Sequence, residues 1–138
     1  MQVKRIGEKA LLKLEKGDNV LESLSTFCLE NGVTSGSVIW GIGMIRESVI
    51  GYFNGKEYVK EKYSECREAV SFHGSIAEDE PKLHIHVGLA GKNHQVVGGH
   101  LFSGTADPLL EVHLEILPKG TVHRRLNQKS GLTEFDLS

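Results

Sequence analysis

The sequence predicts an α+β fold: a curved, mixed but largely antiparallel sheet, bent into a partial barrel, with one main helix. Three observations predict it. Only one stretch, GDNVLESLSTFCLENG over residues 17–32, carries apolar residues at clear helical spacing. Most of the remaining chain reads as short β-prone runs joined by hairpin-length connections, which favours an antiparallel sheet over a doubly wound parallel one. Sixteen glycines, many of them inside those runs, indicate bulges, tight curvature or close backbone approach.

The elements follow in order. EKALLKLEKG reads as a strand with Leu12 and Leu14 on one face. The helix comes next: Asp18 or Asn19 caps it, Val20, Leu24, Phe27 and Cys28 keep its spacing, and Gly32 stops it after Asn31. SGSVIWGIGMI is rich in β-branched residues and glycine, and RESVIGYFNGKEYVKEKY reads as a hairpin turning at Asn54-Gly55. EAVSFHGSIAE, KLHIHVGLAG, HQVVGGHLFSG and LEVHLEILPKG complete the series of strands.

Composition narrows the function. With 138 residues, 39% apolar and 25% charged, the chain is read as one globular domain over residues 1–138. Its apolar runs are too short to span a membrane. The start, MQVKRIGEKALLKLEKGD, is interrupted by Glu8, Lys9 and Lys13, unlike a signal peptide. Cys28 and Cys66 fit neither a metal knuckle nor a disulfide framework, so both are read as reduced thiols in a cytoplasmic protein. A net charge of −2 argues against a large phosphate-binding surface. The one basic cluster (Lys119, His123, Arg124, Arg125 and Lys129) reads as a solvated tail in preference to a nucleic-acid patch.

The chemistry concentrates in PKLHIHVGLAG. On a strand His84 and His86 share a face, with Ile85 and Val87 on the other, so two imidazoles are available to one ion. If Gly91-Lys92-Asn93 form the turn that follows, Ala90 faces His94 and His84 stands directly opposite His100 on the same face. A two-residue turn at Lys92-Asn93 would instead send His100 to the other face. Gly98-Gly99 leaves room for a bulge. His84, His86 and His100 are therefore the candidate three-nitrogen metal site. Three neutral imidazoles suit Zn²⁺ best, with other divalent transition ions in competition, and leave a coordination position open to water or substrate.

The remaining candidates are weaker. His113 alternates with Glu111 and Glu115, which is either an acid/base face or the solvated face of an amphipathic strand. His73 either lines a cavity or hydrogen-bonds in the core; His94 reads as a turn residue and His123 as surface. Gly41-Ile42-Gly43 lacks the third glycine and following helix of a phosphate loop. Ser35, Ser37 and Ser71 lack a nucleophile elbow. Glu65 and Arg67, flanking Cys66, read either as polar groups near a site or as part of a surface strand. No catalytic residue is assigned.

The order of motifs, from GDNVLESLSTFCLENGVTSGSVIWGIGMIRESVIGYF through VSFHGSIAEDEPKLHIHVGLA to VVGGHLFSGTA, resembles the PPC (plants and prokaryotes conserved) domain. The match is strongest over residues 4–118, leaving 119–138 as a C-terminal extension. This resemblance implies a curved mixed sheet, a homotrimer, and a metal, commonly zinc, on His84, His86 and His100. It also implies a DNA-binding or regulatory role, although the Arg-Gly-Arg core of an AT-hook is absent here. A fold-level likeness to acetolactate decarboxylase implies the alternative: a lyase-like enzyme or sensor taking a small molecule at an open zinc. A third reading is a scaffold whose zinc only stabilises the sheet.

Overall fold

The computed structural model describes all 138 residues. Strands β1 (Gln2–Ile6) and β2 (Lys9–Glu15) precede the helix α1 (Val20–Glu30). There follow β3 (Gly36–Phe53), β4 (Tyr58–Tyr63), β5 (Arg67–Ile76), β6 (Leu83–Ala90) and β7 (Val96–Ile116). A separate hairpin, β8 (His123–Leu126) with β9 (Thr133–Asp136), ends the chain. The main sheet runs β1-β2-β7-β6-β5-β3-β4, and β7 pairs with β3 as well, so the sheet curls strongly. Every strand pairing is antiparallel, so the sheet lacks the parallel component expected of a mixed one. The cause is local: β1–β2, β3–β4, β5–β6 and β6–β7 are joined by connections too short for a parallel crossover.

The helix begins where the sequence places it, and Asn19 rather than Asp18 caps it. Asn19 Oδ1 accepts from Glu22 N at 3.1 Å, whereas Asp18 Oδ2 accepts from Glu15 N at 2.8 Å and faces the N-terminal ammonium at 2.9 Å. At the other end Asn31 donates back to the Phe27 carbonyl, and Gly32 takes φ 63°, a left-handed conformation that glycine tolerates. β2 and β3 lie on opposite edges of β7, and α1 carries the chain between them. Its buried side chains Val20, Leu24, Phe27 and Cys28 join Leu12 and Leu14 of β2 in the core.

Period-two alternation then separates two faces. Ile85, Val87 and Leu89 of β6 and Leu110, Val112 and Leu114 of β7 are buried in that core. Each such apolar side chain contributes about 1.5–3 kcal/mol relative to exposure. Their neighbours point outward. One outward row is apolar: Leu11, His113 and Trp40 face one another across β2, β7 and β3, with Ile42 nearby, and Leu11, Trp40 and Ile42 are exposed.

The β3–β4 turn bears out the Asn54-Gly55 signal, as a four-residue connection. Asn54 Oδ1 accepts from Lys56 N and Glu57 N, both at 2.9 Å, and Gly55 takes φ 93°. The β6–β7 turn needs correcting. It spans residues 91–95 rather than Gly91-Lys92-Asn93 alone, closed by Gly91 N to the Gln95 carbonyl at 3.0 Å. His94 does occupy the turn, at φ 64°. Ala90 consequently pairs with Val96, and His100 stands opposite His86 instead of His84. The slip is two residues, an even number, so His100 keeps its face.

Beyond that turn β7 leaves β6 and joins β3, and His100 pairs with both His86 and Gly51. Gly99, just before the switch, has φ 153°, and a Cβ there would lie 2.6 Å from the Gly51 carbonyl oxygen. Gly99→Ala is therefore expected to lower stability by about 1–3 kcal/mol through backbone overcrowding. Denaturant unfolding checks this; an unchanged midpoint would show that the crossing relaxes freely.

Candidate metal centre

β6 and β7 build the centre together. The buried Ile85 and Val87 anchor β6 from the core side, which turns His84 and His86 outward. β7 supplies His100 across the ladder from His86. His84 Nε2 and His86 Nε2 are 3.0 Å apart, and one ring nitrogen from each of the three residues falls within 4.8 Å of the others. Nitrogens bound tetrahedrally to zinc at about 2.0–2.1 Å would be about 3.4 Å apart, so small side-chain rotations suffice to meet an ion. A ring nitrogen of His100, Nδ1, is buried without a hydrogen-bond partner. The donor set thus fits a borderline divalent transition metal.

The surroundings hold these rings in place. Tyr58 and Phe102 pack on His100 with centroid separations of 5.1 and 4.5 Å, and Lys60 Nζ sits 3.9 Å above the Phe102 ring. Gly51 makes room for them, because a Cβ there would lie 2.4 Å from the Phe102 ring. His73 lies opposite His86 on β5 but is engaged elsewhere, its Nδ1 being 3.1 Å from Ser71 Oγ. A cavity of about 440 Å³ opens beside the cluster. Its walls include His84, His86, Tyr58 and Ser75 and, from the C-terminal hairpin, Arg124 and Phe135.

Electrostatics keeps the imidazoles neutral. Burial and then the neighbouring charges of His86 and Arg124 lower His84. Burial and the charge of His73 lower His86. His100 is pushed down to about 4, first by burial and then by His84, His86, Lys60 and Arg124. Only a neutral imidazole offers a lone pair to a metal, so all three are prepared as ligands near neutral pH.

Several sequence-level readings find other places. His113 packs against Trp40, with tilted rings 5.5 Å apart, on the outward apolar row and takes no part in the cluster. His123 is bonded to Asp79 at 2.9 Å. Cys66 Sγ donates to the Asp107 carbonyl at 2.8 Å, and Cys28 is buried, its thiol pushed up to about 11. Glu65 and Arg67 pair with each other, Glu65 exposed and Arg67 largely buried, and neither joins the cluster. Arg124 is the main correction: it is 5% exposed and reaches the cavity, so it does not belong to a solvated tail. Nothing in HRRL signals this, because the docking of a terminal hairpin is a long-range event without a local pattern. Tyr58 and Phe102 carried no signal either, since strand aromatics are most often packing residues.

Curled sheet and cluster together define a small β-rich protein with three convergent imidazoles on the face opposite its core. The chain belongs to the Plants and Prokaryotes Conserved (PCC) domain family, also written PPC, whose profile matches residues 1–118. It is similar to a metal-containing protein from Archaeoglobus fulgidus, with 32% identity and a TM-score of 0.85 over 95% of this chain and 94% of that one. It is also similar to a plant- and prokaryote-conserved protein from Pyrococcus horikoshii, at 28% identity and TM-score 0.84 over 98% and 93% of the two chains. A third similar structure, from Bacteroides thetaiotaomicron, is described as a "putative dna binding protein"; it has 28% identity and TM-score 0.90 over 99% and 96% of the chains. No curated protein sequence is matched by the chain.

Lowered histidine pKa values make the metal-free protein acid-sensitive. The unfolded chain protonates these imidazoles near 6.5, the folded chain only at lower pH, His100 at about 4. Between those values the unfolded state binds more protons, so stability falls as pH drops through that window. Denaturation of chelator-treated protein from pH 7 to pH 5 should show this fall, and His100→Phe should flatten it. An equal slope in the variant would remove His100 as a source.

Proposed function

We propose that the chain is a metal-binding PPC-domain protein in which His84, His86 and His100 hold Zn²⁺ or another divalent transition metal, leaving one position open to a small-molecule ligand. The carrying observation is the convergence of three neutral, metal-competent nitrogens within 4.8 Å beside an open cavity. The Archaeoglobus relative described as metal-containing supports it. Such an ion supplies Lewis-acid chemistry, polarising a carbonyl or acidifying its bound water. Around it the protein's own groups shape the pocket: Tyr58 and Phe102 hold His100, and the C-terminal hairpin covers one side. This favours a sensor or lyase-like enzyme of acetolactate decarboxylase-like fold, working as a cytoplasmic protein of one 138-residue domain. His86→Ala is expected to lower bound metal from about one ion per chain to well under half. Elemental analysis of protein purified without chelator reads it out; undiminished metal in the variant would sink the site.

A homotrimer is part of the proposal. The exposed row of Leu11, Trp40 and Ile42 is apolar surface of the kind that subunit contacts cover. Light scattering should give about three times the mass of one chain, and a monomer mass would overturn this part.

A second reading, a DNA-associated regulator, is favoured by the description of the Bacteroides relative. The basic C-terminal cluster gives it little help, because Arg124 is buried, Arg125 Nε pairs with Asp136 at 2.5 Å, and His123 pairs with Asp79. Fluorescence anisotropy with duplex DNA at low ionic strength separates the two readings. Salt-dependent binding there would support the regulator, and its absence would leave the small-molecule role.

A further inference from the structure

Residues 119–138 lie beyond the family match, yet their hairpin forms one wall of the histidine cavity. Arg124 is the residue it brings there. The guanidinium donates through Nη2 to Ser75 Oγ at 2.7 Å, and Ser75 sits opposite His84 in the β5–β6 ladder. Phe135 closes over it, with Cζ 4.9 Å from the ring centroid. Arg124 Nε is buried without a hydrogen-bond partner, and no carboxylate forms an ion pair with this side chain. Glu134, the one acid on the cavity wall, is turned instead to Asn127 Nδ2 at 2.8 Å and Ser130 Oγ at 2.5 Å.

A buried guanidinium without a counter-charge is a costly arrangement, and an anion entering the cavity relieves it. We propose that the cavity recognises a small organic carboxylate: Arg124 pairs with the carboxylate, and a second oxygen of the same molecule takes the open position on the metal. This rests on the three-histidine metal reading above. The charge balance favours it, because three neutral imidazoles leave the ion's positive charge uncompensated and Arg124 adds another. Arg124 and His84 line the same cavity, and Ser75, which holds the guanidinium, pairs with His84, so its charge stands beside the cluster. A planar guanidinium fixed by Ser75 matches a planar carboxylate better than a lysine ammonium would. Tyr58, Leu132 and Phe135 on the walls favour a carbon-bearing body over a bare inorganic ion.

The test uses the full chain loaded with Co²⁺, whose visible bands respond to ligands entering its coordination sphere, with pyruvate as the probe. Saturable band changes with pyruvate are expected, with affinity for the uncharged amide pyruvamide at least tenfold weaker. Arg124→Met should take up Co²⁺ like the parent protein but bind pyruvate at least tenfold more weakly, and Arg124→Lys should recover part of the loss. Equal pyruvate affinity in Arg124→Met, or equal binding of pyruvamide, would overturn the proposal. Inorganic phosphate binding more tightly than pyruvate would overturn the organic class.

Failure of the metal reading looks different. If the parent protein takes up no Co²⁺, thermal unfolding of the metal-free protein is followed with pyruvate. A rise in Tm that disappears in Arg124→Met then supports the carboxylate site alone, and no rise overturns both. Should Arg124→Met not fold, Ser75→Ala, which frees the guanidinium, is expected to weaken pyruvate binding several-fold; unchanged affinity would overturn the proposal.

Discussion

The structure turns on the point where β7 changes partners. At His100 one strand is bonded to β6 through His86 and to β3 through Gly51. That double pairing curls the sheet and brings the two halves of the chain's strands around one core. It also delivers a third imidazole to a pair on a neighbouring strand. Three backbones approach so closely there that side chains must be absent: a Cβ on Gly98 would lie 2.6 Å from the Val87 oxygen, and one on Gly99 2.6 Å from the Gly51 oxygen. The glycines beside the histidine are therefore part of the same device as the histidine itself.

Those glycines explain how much of the molecule could be read in advance. The helix, its apolar stripe and the Asn54-Gly55 turn rest on local chemistry, and they stand as read. The His-x-His geometry rests only on the two-residue period of a strand, which no tertiary contact overrides. Turn length is less local. Five residues at 91–95 moved the opposing pair from His84 to His86, and the cluster survived because the slip was even. Arg124 depends on where a terminal hairpin docks, and charge composition alone gave its cluster the look of a solvated surface. Legibility falls off with the sequence distance over which each feature is decided.

Burial and charge at the cluster pull in a consistent direction. Desolvation lowers all three histidines and keeps them unprotonated, the state in which they donate lone pairs. The same desolvation acts on Arg124, which stays charged and has no carboxylate to offset it. Neutral ligands beside an unpaired cation make a cavity that is electrostatically incomplete. Had Glu134 turned inward, it would have completed the pocket; Asn127 and Ser130 hold it away.

A strand with one buried face and one functional face lets the two be changed separately. Ile85, Val87 and Leu101 fix β6 and β7 against the core, while His84, His86 and His100 project to the other side. Substitution of the histidines removes almost nothing from the core. The converse does not hold, because a cavity left at Val87 or Leu101 would shift the backbones that aim the imidazoles. Residues beyond the family match reach the site and its surroundings: the β8–β9 hairpin pairs with no strand of the main sheet and lines the cavity with Arg124 and Phe135, while Val122, just before it, is buried and donates its N–H to Ser35 Oγ. A terminal hairpin of this kind is where ligand choice can vary most cheaply. Neither β8 nor β9 supplies a member of the main core cluster or of the three histidines, so the hairpin's sequence can vary independently of both.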